Sequence, residues 1–254
     1  MPLSFRTGQP RWMDLLSHDP DRSLAFYTQL LGWEAEVSPP EYGGYVSFSK
    51  DGKAVGGMMR NPDDSGVVAD NWTVYLEVAD AQATADAARA NGGEVLELGD
   101  VGDMGVWLVV TDATGARVGG WQNRSHSGFE ATDGAGTPVW AELHARDYPE
   151  AVAFYETVFG WQTEVMSDSD DFRYTTLGAS PDAVAGIWDA GDDLPEIEPS
   201  FWDVYLGVDN ANQSAVRITE LGGTMLEQVT DSPYGRQAHA VDPTGAKFAI
   251  LQVE

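Results

Sequence analysis

The segment Trp140-Ala-Glu-Leu-His-Ala145 sets Glu142 and His144 two residues apart. In a strand that spacing puts both side chains on one face, where a carboxylate beside an imidazole can act as a general acid–base pair. Lys247, on a later strand-like segment that can come across the sheet from them, adds a cation. Only four histidines occur, His18, His126, His144 and His239, and there is no cysteine. Thiolate catalysis and disulfides are therefore excluded, and a multi-histidine metal centre is hard to assemble. A lone histidine in a strand also serves as a hydrogen-bonded core residue, so both readings of His144 stay open at this point. No Ser-His-Asp grouping or phosphate-cradling loop is visible, and Val101-Gly-Asp-Met-Gly105 is too short for a dinucleotide fingerprint.

These residues sit in a strongly acidic chain. Fourteen Lys and Arg against 41 Asp and Glu give a net charge of −27 over 254 residues. Such a surface repels nucleic acid and anionic membranes and keeps the protein in solution, while any acidic concavity would attract cations. No apolar run reaches the roughly 18 residues that cross a bilayer, and the first dozen residues have no apolar signal core. A soluble, cytoplasmic protein is the expectation.

What must position the candidate groups is a duplicated framework. Leu24-Ala-Phe-Tyr-Thr-Gln-Leu-Leu-Gly-Trp33 returns as Val152-Ala-Phe-Tyr-Glu-Thr-Val-Phe-Gly-Trp161. Trp12, Asp14, Asp19, Tyr27 and Trp33 match Trp140, Glu142, Asp147, Tyr155 and Trp161 at one offset, 140 − 12 = 128. Further on, NWTVYLEVADA (71–81) matches FWDVYLGVDNA (201–211), and TDATGA (111–116) matches VDPTGA (241–246). The chain thus reads as two homologous halves, 1–122 and 138–254, with the Gly-, Ser- and Thr-rich stretch 123–137 as a linker.

Each half repeats itself more weakly: a strand leads to a capping Asp or Asn, a helix follows, and three short strands come after. Asp19 and Asp147 read as N-caps, Asp147 with Glu150 as a capping box, Pro20 as the first helical residue, and Gly32 and Gly160 as left-handed helix ends. The apolar stripe through Tyr27 or Tyr155 should pack on a sheet. The fold class is α+β: four βαβββ modules in two homologous halves, paired into two curved eight-stranded sheets that each enclose a cavity.

The FYxxxxGW helix ends, the D-x-T-G turn before each half's last strand and the Gly-Gly after the second helix resemble the vicinal oxygen chelate superfamily. That group contains glyoxalase I, extradiol dioxygenases, fosfomycin-modifying enzymes and bleomycin-binding proteins. The tandem form is similar to actinobacterial glyoxalase-like proteins often labelled hydroxylases. The resemblance implies a divalent ion held by His, Glu or Gln at four places per site. Counting from the caps and turns, those places are Trp12, Gly57, Val74 and Gly119 in the first half, and Trp140, Gly186, Val204 and Ala249 in the second. None can ligate a metal, so no metal and no cofactor is expected.

Strand alternation from those positions assigns the cavity-facing residues. They are Trp12, Asp14 and Leu16, then Trp72, Val74 and Leu76, then Arg117, Gly119 and Trp121 in the first half. In the second half they are Trp140, Glu142 and His144, then Trp202, Val204 and Leu206, then Lys247, Ala249 and Leu251. The ligand-binding candidates are Trp12, Asp14, Trp72, Trp121, Trp140, Trp202 and Lys247, and the catalytic candidates are Glu142 and His144. The tryptophans either fill the vacated space as core or line a pocket for a small aromatic or cationic molecule. His18 and His126 fall near loop signals and should be exposed, while His239 lies in the strand before the DPTG turn with its face undecided.

The leading expectation is a metal-independent small-molecule binding protein, in antibiotic resistance or secondary metabolism. A hydroxylase or lyase acting on an aromatic metabolite through Glu142 and His144 is the enzymatic alternative, and a structural scaffold is a third. Four modules complete both sheets within one chain, so a monomer suffices and a homodimer is not excluded.

Overall fold

The computed structural model describes residues 5–39, 43–62, 69–169, 171–179, 182–191 and 193–253. Its elements follow the modular plan. The first half runs β1 (Pro10–Ser17), α1 (Pro20–Leu31), β2 (Glu34–Val37), β3 (Val46–Lys50) and β4 (Lys53–Arg60), then β5 (Asn71–Glu77), α2 (Ala81–Ala90), β6 (Glu94–Asp100), β7 (Gly105–Thr111) and β8 (Arg117–Asn123). The second half runs β9 (Pro138–Ala145), α3 (Tyr148–Val158), β10 (Thr163–Ser169), β11 (Phe172–Leu177) and β12 (Ala185–Asp189), then β13 (Phe201–Val208), α4 (Ala211–Glu220), β14 (Thr224–Met225), β15 (Thr230–Ser232), β16 (Gly235–Val241) and β17 (Lys247–Gln252).

Two mixed sheets result, with strand orders β2-β3-β4-β1-β5-β8-β7-β6 and β10-β11-β12-β9-β13-β17-β16-β14. The short β15 pairs with β16, so the second sheet has nine strands where eight are expected. β1 pairs in parallel with β4, and β5 with β8; β9 with β12 and β13 with β17 repeat the pattern, and the flanking pairs are antiparallel. Modules therefore share sheets within each half.

The helix starts are set by local chemistry. Asp19, Asp80, Asp147 and Asn210 accept from the backbone N–H three residues on, at 3.2, 3.0, 3.1 and 3.0 Å, each satisfying a donor that the first turn leaves unpaired and contributing about 1 kcal/mol. Gly32 and Gly160 leave α1 and α3 with φ of 66° and 67°, a conformation glycine adopts without a Cβ penalty.

Contact density divides the chain into two compact units, each drawing on both halves. The first comprises 1–12, 74–127 and 141–203, and the second 13–73, 128–140 and 204–254. In the first unit α2 packs on α3, and in the second α1 packs on α4. The segment expected as a linker takes part in this packing: in the second unit, Glu130 N–H donates to the Ala54 carbonyl, and Gly136 N–H to the Gly207 carbonyl.

Each unit has the same buried polar knot. In the first, the Tyr155 hydroxyl donates to Asp112 Oδ2 at 2.9 Å and accepts from Trp202 Nε1 at 2.7 Å. The other oxygen of Asp112 takes Thr114 N–H, Thr114 Oγ1–H and Ala116 N–H at 2.8 to 2.9 Å, which shapes the D-x-T-G turn. In the second unit Tyr27 donates to Asp242 at 3.1 Å and accepts from Trp72 at 2.9 Å. Thus the helix tyrosine of one half grips the turn aspartate of the other. Burying a carboxylate alone would cost several kcal/mol; these are almost fully hydrogen-bonded.

The Gly-Trp signature closes the same packing. Trp161 Nε1 donates to the Gly8 carbonyl at 2.9 Å, and Trp33 Nε1 to the Gly136 carbonyl at 2.6 Å. A Cβ on Gly8 would sit 2.7 Å from the Trp161 ring, and its φ is 84°, so only glycine lets the chain pass there.

Candidate functional site

Strand alternation puts one face of each sheet under the helices and leaves the other for chemistry. Trp72 and Trp202 mark the helix face, because their indole N–H groups bond the helix tyrosines. This corrects the expected register by one residue. Trp72, Val74 and Leu76, with Trp202, Val204 and Leu206, belong to the core beneath the helices, and Thr73, Tyr75, Asp203 and Tyr205 take the opposite face. The second-module position for a metal ligand accordingly falls on Thr73 and Asp203 instead of Val74 and Val204. Asp203, 2% exposed, offers a carboxylate there that strand alternation in the sequence does not reveal.

In the second half Glu142 and His144 lie side by side. His144 Nε2 lies 3.2 Å from Glu142 Oε1, and both side chains are largely withdrawn from solvent. Glu142 Oε2 accepts from the Tyr174 hydroxyl at 2.6 Å. The imidazole stacks on Phe201 at 4.6 Å between centroids and meets Trp188 edge-on at 5.0 Å. Trp188 is its register partner on β12, as Gly186 is for Glu142. A donor atom of Asp203 lies within 4.8 Å of one on His144. The strand alternation that aligns Glu142 with His144, plus an aromatic wall, therefore sets an imidazole beside one carboxylate with a second within 4.8 Å, able to hold or move a proton.

The first half keeps half of this arrangement. Tyr45 donates to Asp14 Oδ1 at 2.6 Å, and Asp14 registers with Gly57 as Glu142 does with Gly186. Leu16 and Met59 stand where His144 and Trp188 pair. The position of His144 beside the carboxylate is thus taken by an aliphatic side chain in the first half.

The tyrosines explain the glycines. A Cβ at Gly57 would meet Tyr45 Oη at 1.8 Å, and one at Gly186 would meet Tyr174 Oη at 2.2 Å. At Gly119 it would meet the Tyr75 ring at 2.2 Å. Ala249, the remaining position, carries only a methyl group. These places carry Trp12 and Trp140, three glycines beneath tyrosines, Ala249, Thr73 and Asp203, the one strong donor among them. Those family positions thus supply one carboxylate and no imidazole between them, where the family's divalent ion takes several such ligands.

The remaining candidates separate. Trp12 and Trp121, 4% and 9% exposed, both pack edge-on against the His126 ring, at 4.6 and 5.4 Å. His126 is therefore half-buried in the first unit, contrary to the exposure expected of it, while His18 is exposed beside Asp70 at 2.7 Å. Trp140, half-buried, begins the β9 face that Glu142 and His144 continue, and Lys247, also half-buried, starts β17 opposite Val241.

Comparison with known proteins places this architecture. The glyoxalase/bleomycin resistance protein/dioxygenase superfamily model matches residues 10–119 and again 137–250. The chain belongs to that superfamily. Among its relatives, CFP32 of Mycobacterium bovis, which carries a provisional glyoxylase name, is 34% identical over 98% of this chain and 96% of its own. The anthracycline biosynthesis protein DnrV of Streptomyces peucetius is 33% identical over 98% of this chain and 94% of its own. Solved superfamily structures share the fold at low identity. The Mn(II)-bound glyoxalase of Novosphingobium aromaticivorans has a TM-score of 0.66 at 18% identity, covering 97% of this chain and 82% of its own. The 2,3-dioxygenase LapB of Pseudomonas sp. KL28 has a TM-score of 0.64 at 13% identity, covering 97% and 93%. Among the described residues no helix is long and apolar enough to cross a membrane.

Proposed function

We propose that this superfamily member binds a flat, polycyclic aromatic metabolite on the helix-free faces of its sheets, and that it does so without the divalent ion. The observation that carries this reading is what stands at the ion's ligand positions: Trp12 and Trp140, and glycines roofed by Tyr45, Tyr75 and Tyr174. Rings that stack and hydroxyl–carboxylate pairs that accept or donate hydrogen bonds suit a planar ligand with phenolic or cationic groups. A relative named for anthracycline biosynthesis supports the same ligand class. Titration of tryptophan emission with an anthracycline and with simpler polycyclic cations tests the proposal. Saturable quenching that weakens in Trp12→Ala or Trp140→Ala is the expected result. No quenching by any compound overturns it, and stoichiometric Mn, Fe, Zn or Ni in the purified protein overturns its metal-free part.

The Glu142–His144 pair favours a second reading, in which the second half also converts the bound molecule by acid–base chemistry. Glu142→Gln and His144→Gln are then expected to retain binding and lose product formation, monitored by mass spectrometry of the incubated compound.

A further inference from the structure

A second carboxylate–imidazole arrangement lies in the second unit. Glu227 Oε1 is 2.6 Å from His239 Nδ1 and also accepts from His239 N–H at 3.1 Å. On the other side of the ring, His239 Nε2 is 3.3 Å from the Tyr205 hydroxyl. The topology dictates the meeting. Ala249 on β17 registers with Tyr205 on β13 and with His239 on β16, so three neighbouring strands present Tyr205, a methyl group and His239 in a row. Because Phe248 packs against Phe26 and Tyr27 of α1, Ala249 and its two neighbours face away from the helices. A larger residue at 249 would stand between phenol and imidazole.

We infer that Glu227, His239 and Tyr205 form a proton relay in which Tyr205 exchanges a proton with a bound phenolic or enolisable polycyclic ketone. This deepens the polycyclic-ligand reading above and rests on it for the substrate class. A carboxylate on Nδ1 fixes the neutral ring with its proton there, leaving Nε2 as the base toward Tyr205. The Tyr205 proton passes to Nε2, giving imidazolium, and the phenolate oxygen takes an acidic C–H or O–H proton from the compound. The compound loses one proton and His239 gains one, the Nδ1 proton staying on its bond to Glu227. The Tyr205 hydroxyl trades the proton it took for one from solvent, and its delivery to the compound as the Nε2 proton returns to Tyr205 completes an exchange. Glu227, 46% exposed, keeps one end of the relay at solvent, while Tyr205 is buried. His239 and Glu227 act here as positioning groups and Tyr205 as the group that touches the compound. The first half has Tyr75 over Gly119 and Val109 where His239 stands.

Two measurements on the full chain test the relay. In ¹⁵N-histidine spectra near neutral pH, His239, assigned by its loss in His239→Gln, is expected in the Nδ1–H tautomer and to change to Nε2–H in Glu227→Ala. An Nε2–H ring in the unsubstituted protein overturns the inference. In D₂O, α-deuteration of 2-tetralone, an enolisable bicyclic ketone, is expected to be catalysed, and to fall roughly 100-fold in Tyr205→Phe. No catalysed exchange, or exchange unchanged in Tyr205→Phe, overturns it. Anthracycline binding measured on the same samples separates the two claims: exchange without binding defeats the polycyclic reading and leaves the relay standing.

Discussion

The buried tyrosines illustrate how much a single hydroxyl decides. Removing the Tyr155 oxygen leaves Asp112 Oδ2 and Trp202 Nε1 without that bond, and an orphaned buried polar group costs about 1–3 kcal/mol. Tyr155→Phe is therefore expected to lower stability by that amount in urea titration, with the denaturant slope unchanged. Burial pushes the Asp112 carboxyl above its usual 3.8, with its hydrogen bonds from Thr114, Ala116 and Tyr155 opposing the shift; Asp242 behaves the same way. A raised folded-state value means the folded protein holds the proton more tightly than the unfolded chain. These two groups thus favour folding most at low pH, and the contribution declines as pH rises from about 3.8 through the raised values. Asn at 112 cannot ionise, so wild type is expected to gain stability relative to Asp112→Asn as pH falls from about 6 to about 4, compared by urea midpoints. At this scale the sequence made Glu142 and His144 legible, because two residues in one strand share a face wherever the strand goes. It hid Tyr45, Tyr174, Tyr205 and Glu227, whose partners come from other strands. Tyr45 and Tyr174 do occupy matching places before β4 and β12, a signal that aligning the halves strand by strand would have revealed.

Among the elements, helices are readable to the residue, and the faces of the central strands β5 and β13 are not. Caps and left-handed glycines are local, so Asp19, Asp147, Gly32 and Gly160 declare α1 and α3 without reference to the rest. Facing depends on which side of a strand is covered, and β5 and β13 are buried on both. Apolar and aromatic residues then run continuously, and alternation carries no information. That is why Trp72 and Trp202 were placed with Trp12 and Trp140 and proved to lie beneath the helices. The glycines of β4 and β12 are the reverse case, where a missing side chain identifies the face. Gly186→Ala would drive a methyl group into the Tyr174 ring, whose Cε1 and Cζ lie 2.4 Å from the ideal Cβ. Overpacking of this order costs about 1–3 kcal/mol, so a fall in Tm is expected, with Tyr174→Ala in the same chain restoring part of it.

For the whole molecule, a net charge of −27 makes self-repulsion a standing opponent of compactness. Raising ionic strength from about 0.01 to about 0.15 M shortens the screening length from about 30 to about 8 Å. Tm is therefore expected to rise with sodium chloride over that range by differential scanning calorimetry; a flat response would show that the charges are locally balanced.

The exchange of tyrosine and aspartate between halves bears on how such a chain could have arisen. Residues 1–122 alone would carry Tyr27 without Asp242 and Asp112 without Tyr155, two polar groups buried with their partners missing. A second copy of that half would supply both, in one symmetric pairing. Joining two such copies through a stretch like 123–137 would convert a concentration-dependent association into an internal one at an effective concentration of order millimolar. The two halves differ where chemistry could occur: His144 and His239 of the second stand where the first has Leu16 and Val109.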